Sequence, residues 1–126
     1  NLIMDAFGLP KKTDEEKAAR KAAIQDATKY ATKIPYRTME KAAEVLPLCK
    51  AMAEKGNPNS VSDAGVGVLA AVAGVRGAYL NVPINASDLE DKAWAGEIIA
   101  NAEELMNKAM ASEKEIMELV LKVIKG

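Results

Sequence analysis

The chain has no histidine, one cysteine, one phenylalanine, one tryptophan and three tyrosines among 126 residues. Without an imidazole there is no histidine metal site, no histidine-based triad and no neutral-pH imidazole base. A lone cysteine, Cys49, cannot close an intrachain disulfide, which suits a reducing cytoplasm. With no histidine to activate it, Cys49 reads as a small core hydrophobe rather than a nucleophile. No set of residues reads as a metal site. Charge of one sign is lacking too: 17 basic and 18 acidic residues are interleaved, so no nucleic-acid-binding face is expected. No stretch alternates with period two for long, and alanine is abundant. An all-α fold follows, of a size for one domain. The first residues lack the basic, apolar, small-residue order of a secretory leader, and a cytoplasmic location is the expectation.

What is present is a 30-residue stretch at 56–85, GNPNSVSDAGVGVLAAVAGVRGAYLNVPIN, in which Arg76 is the one ionisable side chain after Asp63. Ser60 or Ser62 is placed to cap a helix, and Asp63 adds negative charge where the helix dipole favours it. At about 100° per residue, Asp63, Gly67, Ala70, Gly74, Gly77, Asn81 and Asn85 share one stripe. Val68, Leu69, Val72, Val75, Tyr79 and Leu80 fall away from it. A helix apolar on most sides is expected to be buried, with a bare stripe that another backbone or a flat ligand can approach closely. Pro83 is expected to kink or end it near 79–81. The run is long enough to cross a membrane, but Arg76, Asn81, Pro83 and Asn85 inside it argue against that, and no membrane partner is expected.

Around this stretch the punctuation is clear. Residues 1–7 show no obvious cap and read as the end of a helix already under way, so the chain is expected to be N-terminally truncated; Gly8-Leu9-Pro10 stops that helix. Thr13 and Glu16 have capping-box spacing, predicting a helix from 14 to about 33 with Ala23, Ile24, Ala27, Tyr30, Ala31 and Ile34 inward. Pro35 suits the first position of a next helix, carrying Met39, Ala42, Ala43, Leu46, Cys49, Met52 and Ala53 inward, bent at Pro47 and ended by Gly56. Ser87 and Glu90 repeat the box spacing before a stripe from Trp94 through Ile98, Ala102, Leu105, Ala109, Ile116 and Val120 to Ile124, with a break expected near Ala111-Ser112. Long stripes with short connections predict an antiparallel helical bundle.

Few residues stand out as functional. Asp63 is the candidate acid/base; its plainer reading is a helix-start aspartate. Asn81 and Asn85 lie in an apolar run where unpaired amides are costly, so each must bond a carbonyl freed by Pro83 or a ligand. Asp63 and Asn81 are five turns apart, about 27 Å on a straight helix, and cannot grip one small group within one chain. Lys11 could offer a cation to a carboxylate-rich ligand; the plainer reading is a solvated loop lysine. Arg76 is expected to pair with a carboxylate at the core or an interface. Gly65-Val66-Gly67 follows no strand, so it is read as close packing rather than a dinucleotide fingerprint.

Four blocks together carry a resemblance: Phe7-Gly8-Leu9-Pro10-Lys11 with Thr13-Asp14-Glu15-Glu16-Lys17, Ala23-Ile24-Gln25 leading to Ile34-Pro35, GNPNSVSDAGVG at 56–67, and GAYLNVPIN at 77–85. In this order the chain resembles the cyclodeaminase/cyclohydrolase family of folate enzymes. The resemblance implies a homodimer and one-carbon folate chemistry without a metal or a cofactor beyond the tetrahydrofolate substrate. One such reaction is cyclisation of 5-formiminotetrahydrofolate to 5,10-methenyltetrahydrofolate with loss of ammonia. The other is hydrolysis of the methenyl compound to 10-formyltetrahydrofolate. A fused or neighbouring formiminotransferase would favour the first. It gives Asp63 the acid/base role, and Lys11, Asn81 and Asn85 the binding of substrate, including its glutamate tail. The family's glycine-rich segment and its aspartate-bearing helix do not occur in this sequence, and Asp5, by its distance from Leu9-Pro10-Lys11, does not inherit that aspartate's role. The rival from another class is a non-catalytic helical module that dimerises through the small-residue stripe.

Overall fold

In the computed structural model, which describes residues 1–126, the Thr13 hydroxyl accepts from the Glu16 N–H while the Glu16 carboxylate accepts from Thr13, so the capping box forms as its spacing requires. All regular elements are helical, in the order α1 (Leu2–Phe7), α2 (Asp14–Ala43), α3 (Val45–Lys55), a short 3₁₀ turn (Pro58–Ser60), α4 (Val61–Ala86) and α5 (Lys92–Lys125). The register of their contacts sets the topology. A Cβ added at Gly74 would meet Ala42, and one at Gly67 would lie 3.1 Å from Cys49 Sγ. Asn85 reaches Ala31, so α4 runs antiparallel to α2 and α3 together. Gly65 faces Val120 and Tyr79 bonds Glu103, which makes α5 antiparallel to α4 in turn. The core sits where these layers meet, around the fully buried Met39, Val68, Val75, Ala102, Ile116 and Val120.

Several boundaries differ from the sequence-based expectation, each for a local reason. Asn1 does cap α1, its side chain accepting from the Ile3 N–H at 3.1 Å. Pro35 does not start a helix but lies inside α2. The chain breaks instead at the single residue Glu44, three before Pro47. Proline at 47 has no N–H to give the Ala43 carbonyl, so the discontinuity falls one turn upstream rather than at the proline. Ser60 occupies the N-cap position of α4, but its side chain makes no capping hydrogen bond; the preceding 3₁₀ turn, closed by the Asn57 side chain accepting from Asn59, leads into the helix. Helix α4 does not end at 79–81 but continues through Pro83 to Ala86, and α5 has no break at Ala111-Ser112.

The second box does not form at Ser87 and Glu90. The Glu90 N–H donates to Gln25 Oε1 at 2.9 Å, and Gln25 Nε2 donates to the Asp88 carbonyl, so this loop is held by α2. Asp91 caps α5 instead, accepting from the Trp94 N–H at 3.1 Å and from Lys29 Nζ at 2.8 Å. The Lys29 contact, followed by the Trp94 N–H, holds the Asp91 carboxyl below its ordinary range. A carboxyl with a depressed folded-state pKa stabilises the fold above its unfolded pKa and loses that contribution as pH falls through the folded value. Asp91→Asn should therefore flatten the acid side of the stability profile. Denaturant midpoints at neutral pH and near pH 3 would check this.

The expectation that α4 is buried on most sides needs correction. Its Val68, Val72, Val75 and Val82 face is buried, but Val66, Leu80 and Ile84 are each about two-thirds exposed. Residues 58–86 are apolar and long enough for a membrane span by length and composition; one side of them packs on α2, α3 and α5, and a third of the apolar window is buried. The inward assignments of Tyr30, Ile34, Met52 and Ile124 also fail, since all four are exposed, whereas Met39, Leu46, Cys49, Ala53, Ile98, Ala102, Ala109, Ile116 and Val120 are buried as expected. On the bare face of α4, a Cβ at Gly77 would meet nothing within 4 Å. Gly77→Ala should thus stabilise the chain by about 0.5–1 kcal/mol through helix propensity alone. Gly65→Ala should gain less, because its Cβ would lie 3.1 Å from Val120 Cγ1. Urea titrations of both variants would test the contrast.

Candidate functional site

The exposed edge of α4 and the outward side of α2 face each other across a cleft of about 1000 Å³, closed at one side by α1. Its floor is low because small residues supply it: Gly74, Gly77 and Ala78 from α4, Ala27 and Ala31 from α2. Tyr30 and Ile34, displaced from the core by this geometry, form one wall. An open apolar cleft with a few polar groups at its rim suits a small ligand.

Both asparagines line the cleft, but they differ in what holds them. Asn85 donates its amide to the Ala31 carbonyl at 3.1 Å. That carbonyl is the one an N–H at position 35 would have taken, and position 35 is proline. The freed carbonyl expected from Pro83 is thus replaced by one freed by Pro35 across the helix pair. This bond explains how α2 carries a proline in its interior, and it ties Asn85 to the scaffold. Asn81 is exposed and reaches only the Gly77 carbonyl of its own helix, at 3.5 Å, the outer limit of a hydrogen bond. Of the two amides, Asn81 is the one available to a ligand.

The other two residues singled out by sequence are not in the cleft. Asp63 is exposed in the first turn of α4. Eighteen residues of helix, about 27 Å, separate it from Asn81, so one chain does not bring them together. Lys11 belongs to a separate pocket of about 250 Å³, with Lys17, Arg20, Lys21 and Gln25. Arg76 is exposed and joins none of the ion pairs within the chain, so the core pairing expected of it is not made. Cys49 is buried. Sequence reasoning missed Asp5 and Tyr30, which line the cleft, and the cationic partners of Lys11. The signal for the latter was available: Lys17, Arg20 and Lys21 are spaced by three and four on one helical face.

The sequence model of the formiminotransferase-cyclodeaminase family matches residues 1–104. The chain is 51% identical over 120 residues to a methenyltetrahydrofolate cyclohydrolase of Methylorubrum extorquens, an alignment that covers 95% of this chain and 58% of that protein. It is 32% identical over 115 residues to the formimidoyltransferase-cyclodeaminase of Sus scrofa, covering 91% of this chain and 21% of that protein. For the Gallus gallus protein of the same name the figures are 33% over 119 residues, 94% and 22%. The chain therefore spans rather more than half of the first relative and about a fifth of the other two.

Proposed function

We propose that this chain, which belongs to the formiminotransferase-cyclodeaminase family, binds a one-carbon derivative of tetrahydrofolate in the cleft between α2 and α4 and takes part in its conversion. The observation that carries this reading is the cleft itself, whose glycine and alanine floor admits a flat ring system beside the free amide of Asn81. Two reactions fit the family. In one, N10 closes on the formimino carbon of 5-formiminotetrahydrofolate, the former imino nitrogen takes up a proton, its bond to that carbon breaks, and ammonia leaves to give the 5,10-methenyl cation. In the other, water adds to the methenyl carbon, its bond to N5 breaks, a proton is released, and 10-formyltetrahydrofolate results. The hydrolysis is favoured by the 51% identity to a protein of that name.

Both reactions need proton transfer at a one-carbon centre, which a positioned carboxylate can perform. Asn81 orients the ring system, Asn85 keeps the cleft wall in place, and Lys11 meets the carboxylate end of the substrate. Asp5 is the carboxylate that this chain places on the cleft lining. Asp63 reaches such a substrate only if a second copy supplies it. A homodimer paired through the exposed face of α4 would do so, because Asp63 and Asn81 share one side of that helix.

The test follows the absorbance of 5,10-methenyltetrahydrofolate in two cuvettes. Growth from 5-formiminotetrahydrofolate faster than the blank indicates cyclisation. Accelerated decay of the methenyl compound indicates hydrolysis. No departure from either blank, for this chain and for a form extended to the length of its 51% relative, would reject the reading. In whichever form is active, unchanged turnover of Asp63→Asn would remove Asp63 from the mechanism, and sedimentation as a monomer would remove the homodimer.

A further inference from the structure

Helix α2 presents a second face, away from the cleft, to α5 and the loop before it. The two halves of that seam differ in how their polar groups are satisfied. In the first half, Lys21, Gln25 and Lys29 are all engaged. Lys21 pairs with Glu90 at 2.9 Å, Gln25 bonds the backbone of Asp88 and Glu90, and Lys29 pairs with Asp91 at 2.8 Å. In the second half a groove of about 360 Å³ opens, and four charges line it: Lys33, Arg37, Glu40 and Glu97. None of the four joins an ion pair. Tyr36 and Asn101 line it as well, and their side chains make no hydrogen bond within the chain.

We propose that this groove binds a free α-amino acid with an apolar side chain, its carboxylate on Arg37, its ammonium group on Glu97 and its side chain against Trp94 and Ile98. The register of the two helices supports that placement. Both are antiparallel to α4, so they run parallel to each other. The Lys33 ammonium lies 6.0 Å from the centre of the Trp94 ring, which sets Lys33 level with Trp94. One turn further along each helix, Arg37 stands level with Glu97, and two turns further Glu40 stands level with Asn101.

The charge balance selects the class of ligand. Two cations and two carboxylates share the groove, so a simple anion would meet Glu40 and Glu97, and a simple amine would meet Lys33 and Arg37. A zwitterion satisfies both signs at once. The guanidinium of Arg37 is a planar fork suited to a carboxylate. Half-buried Trp94 and buried Ile98 supply the apolar surface. A volume of about 360 Å³ is at the small end for ligand sites, in keeping with one amino acid. No residue of the groove lines the cleft, so the proposal stands apart from the folate reading.

Trp94 is the only tryptophan of the chain, and its emission therefore reports on the groove directly. The test titrates the full chain with L-phenylalanine, 3-phenylpropionate and 2-phenylethylamine. The second compound lacks the ammonium group and the third lacks the carboxylate. The expected result is a saturable change in Trp94 emission with L-phenylalanine, at an affinity about tenfold or more above that of either analogue, as loss of one charge-assisted contact implies. Arg37→Gln should weaken L-phenylalanine by about tenfold and leave 2-phenylethylamine unchanged. Glu97→Gln should weaken L-phenylalanine likewise and leave 3-phenylpropionate unchanged. Lys122→Gln, at the far end of α5, should alter none of the three. Circular dichroism would establish that each variant is folded. Absence of a saturable response to L-phenylalanine, equal affinity for the three compounds, or unchanged binding by folded Arg37→Gln would overturn the proposal. Emission that shifts with protein concentration alone would place a second copy in the groove and would equally overturn it.

Discussion

Met39→Ala is expected to lower the unfolding free energy by about 2–5 kcal/mol, the range for truncating a buried methionine in a packed core. Met39 is completely buried and belongs to the main core cluster, which includes Val68, Val72 and Val75 of α4 and Ile98 and Ala102 of α5. Removing its thioether leaves a cavity at the meeting point of three helices, and rigid helices collapse into such a space only in part. A domain of this kind has about 5–15 kcal/mol in total, so the variant would retain a reduced margin or unfold near body temperature. Met52→Ala is the control. It removes the same side chain from a position 59% exposed and should stay within about 0.5 kcal/mol of the parent. Urea titration with unchanged slopes and separated midpoints would bear this out; equal midpoints would mean that α2 does not pack on α4 and α5 as described.

Asn85→Ala should cost about 1–3 kcal/mol, because it strips the Ala31 carbonyl of the donor that replaces the N–H missing at Pro35. The cause can be separated from general loss of packing by a double-mutant cycle. In a Pro35→Ala background the helix supplies its own N–H to Ala31, so removing the Asn85 amide should cost distinctly less. A cost that is the same in both backgrounds would show that the Asn85 bond and the proline are unrelated. The cycle also bears on function, since the same bond holds the wall of the cleft next to Asn81.

The fold class was legible because its signals are local and periodic: the Thr13 and Glu16 box, the α5 stripe from Ile98 to Val120, and the stop at Gly56 all appear in the helices as read. What was not legible depended on partners far away in sequence. Pro35 reads as a helix start until Asn85, fifty residues on, is seen to satisfy the carbonyl it frees. Ser87 and Glu90 read as a cap until Gln25 is seen to take the Glu90 N–H and Lys29 to fix Asp91. Tyr30 and Ile34 have core spacing, yet the glycines opposite them on α4 leave a cleft that their side chains border rather than fill.

The site was legible in kind more than in grouping. Asn81 and Asn85 line one cleft while Lys11 lies in a separate pocket, and the structure gives Asn85 a scaffold role and Lys11 three cationic neighbours. Asp63 stands apart from all of them, as the rise of a helix over eighteen residues requires.

The central claim is that the small-floored cleft is the ligand site, and the most direct measurement is equilibrium binding of tetrahydrofolate to the parent chain and to Gly77→Trp. Position 77 lines the cleft and has free space around it, so an indole there should leave the fold intact while filling the cavity. The account predicts saturable binding by the parent and none by the variant, with both giving the same helical circular dichroism spectrum. Equal affinity of the two proteins, or no binding by the parent, would contradict it.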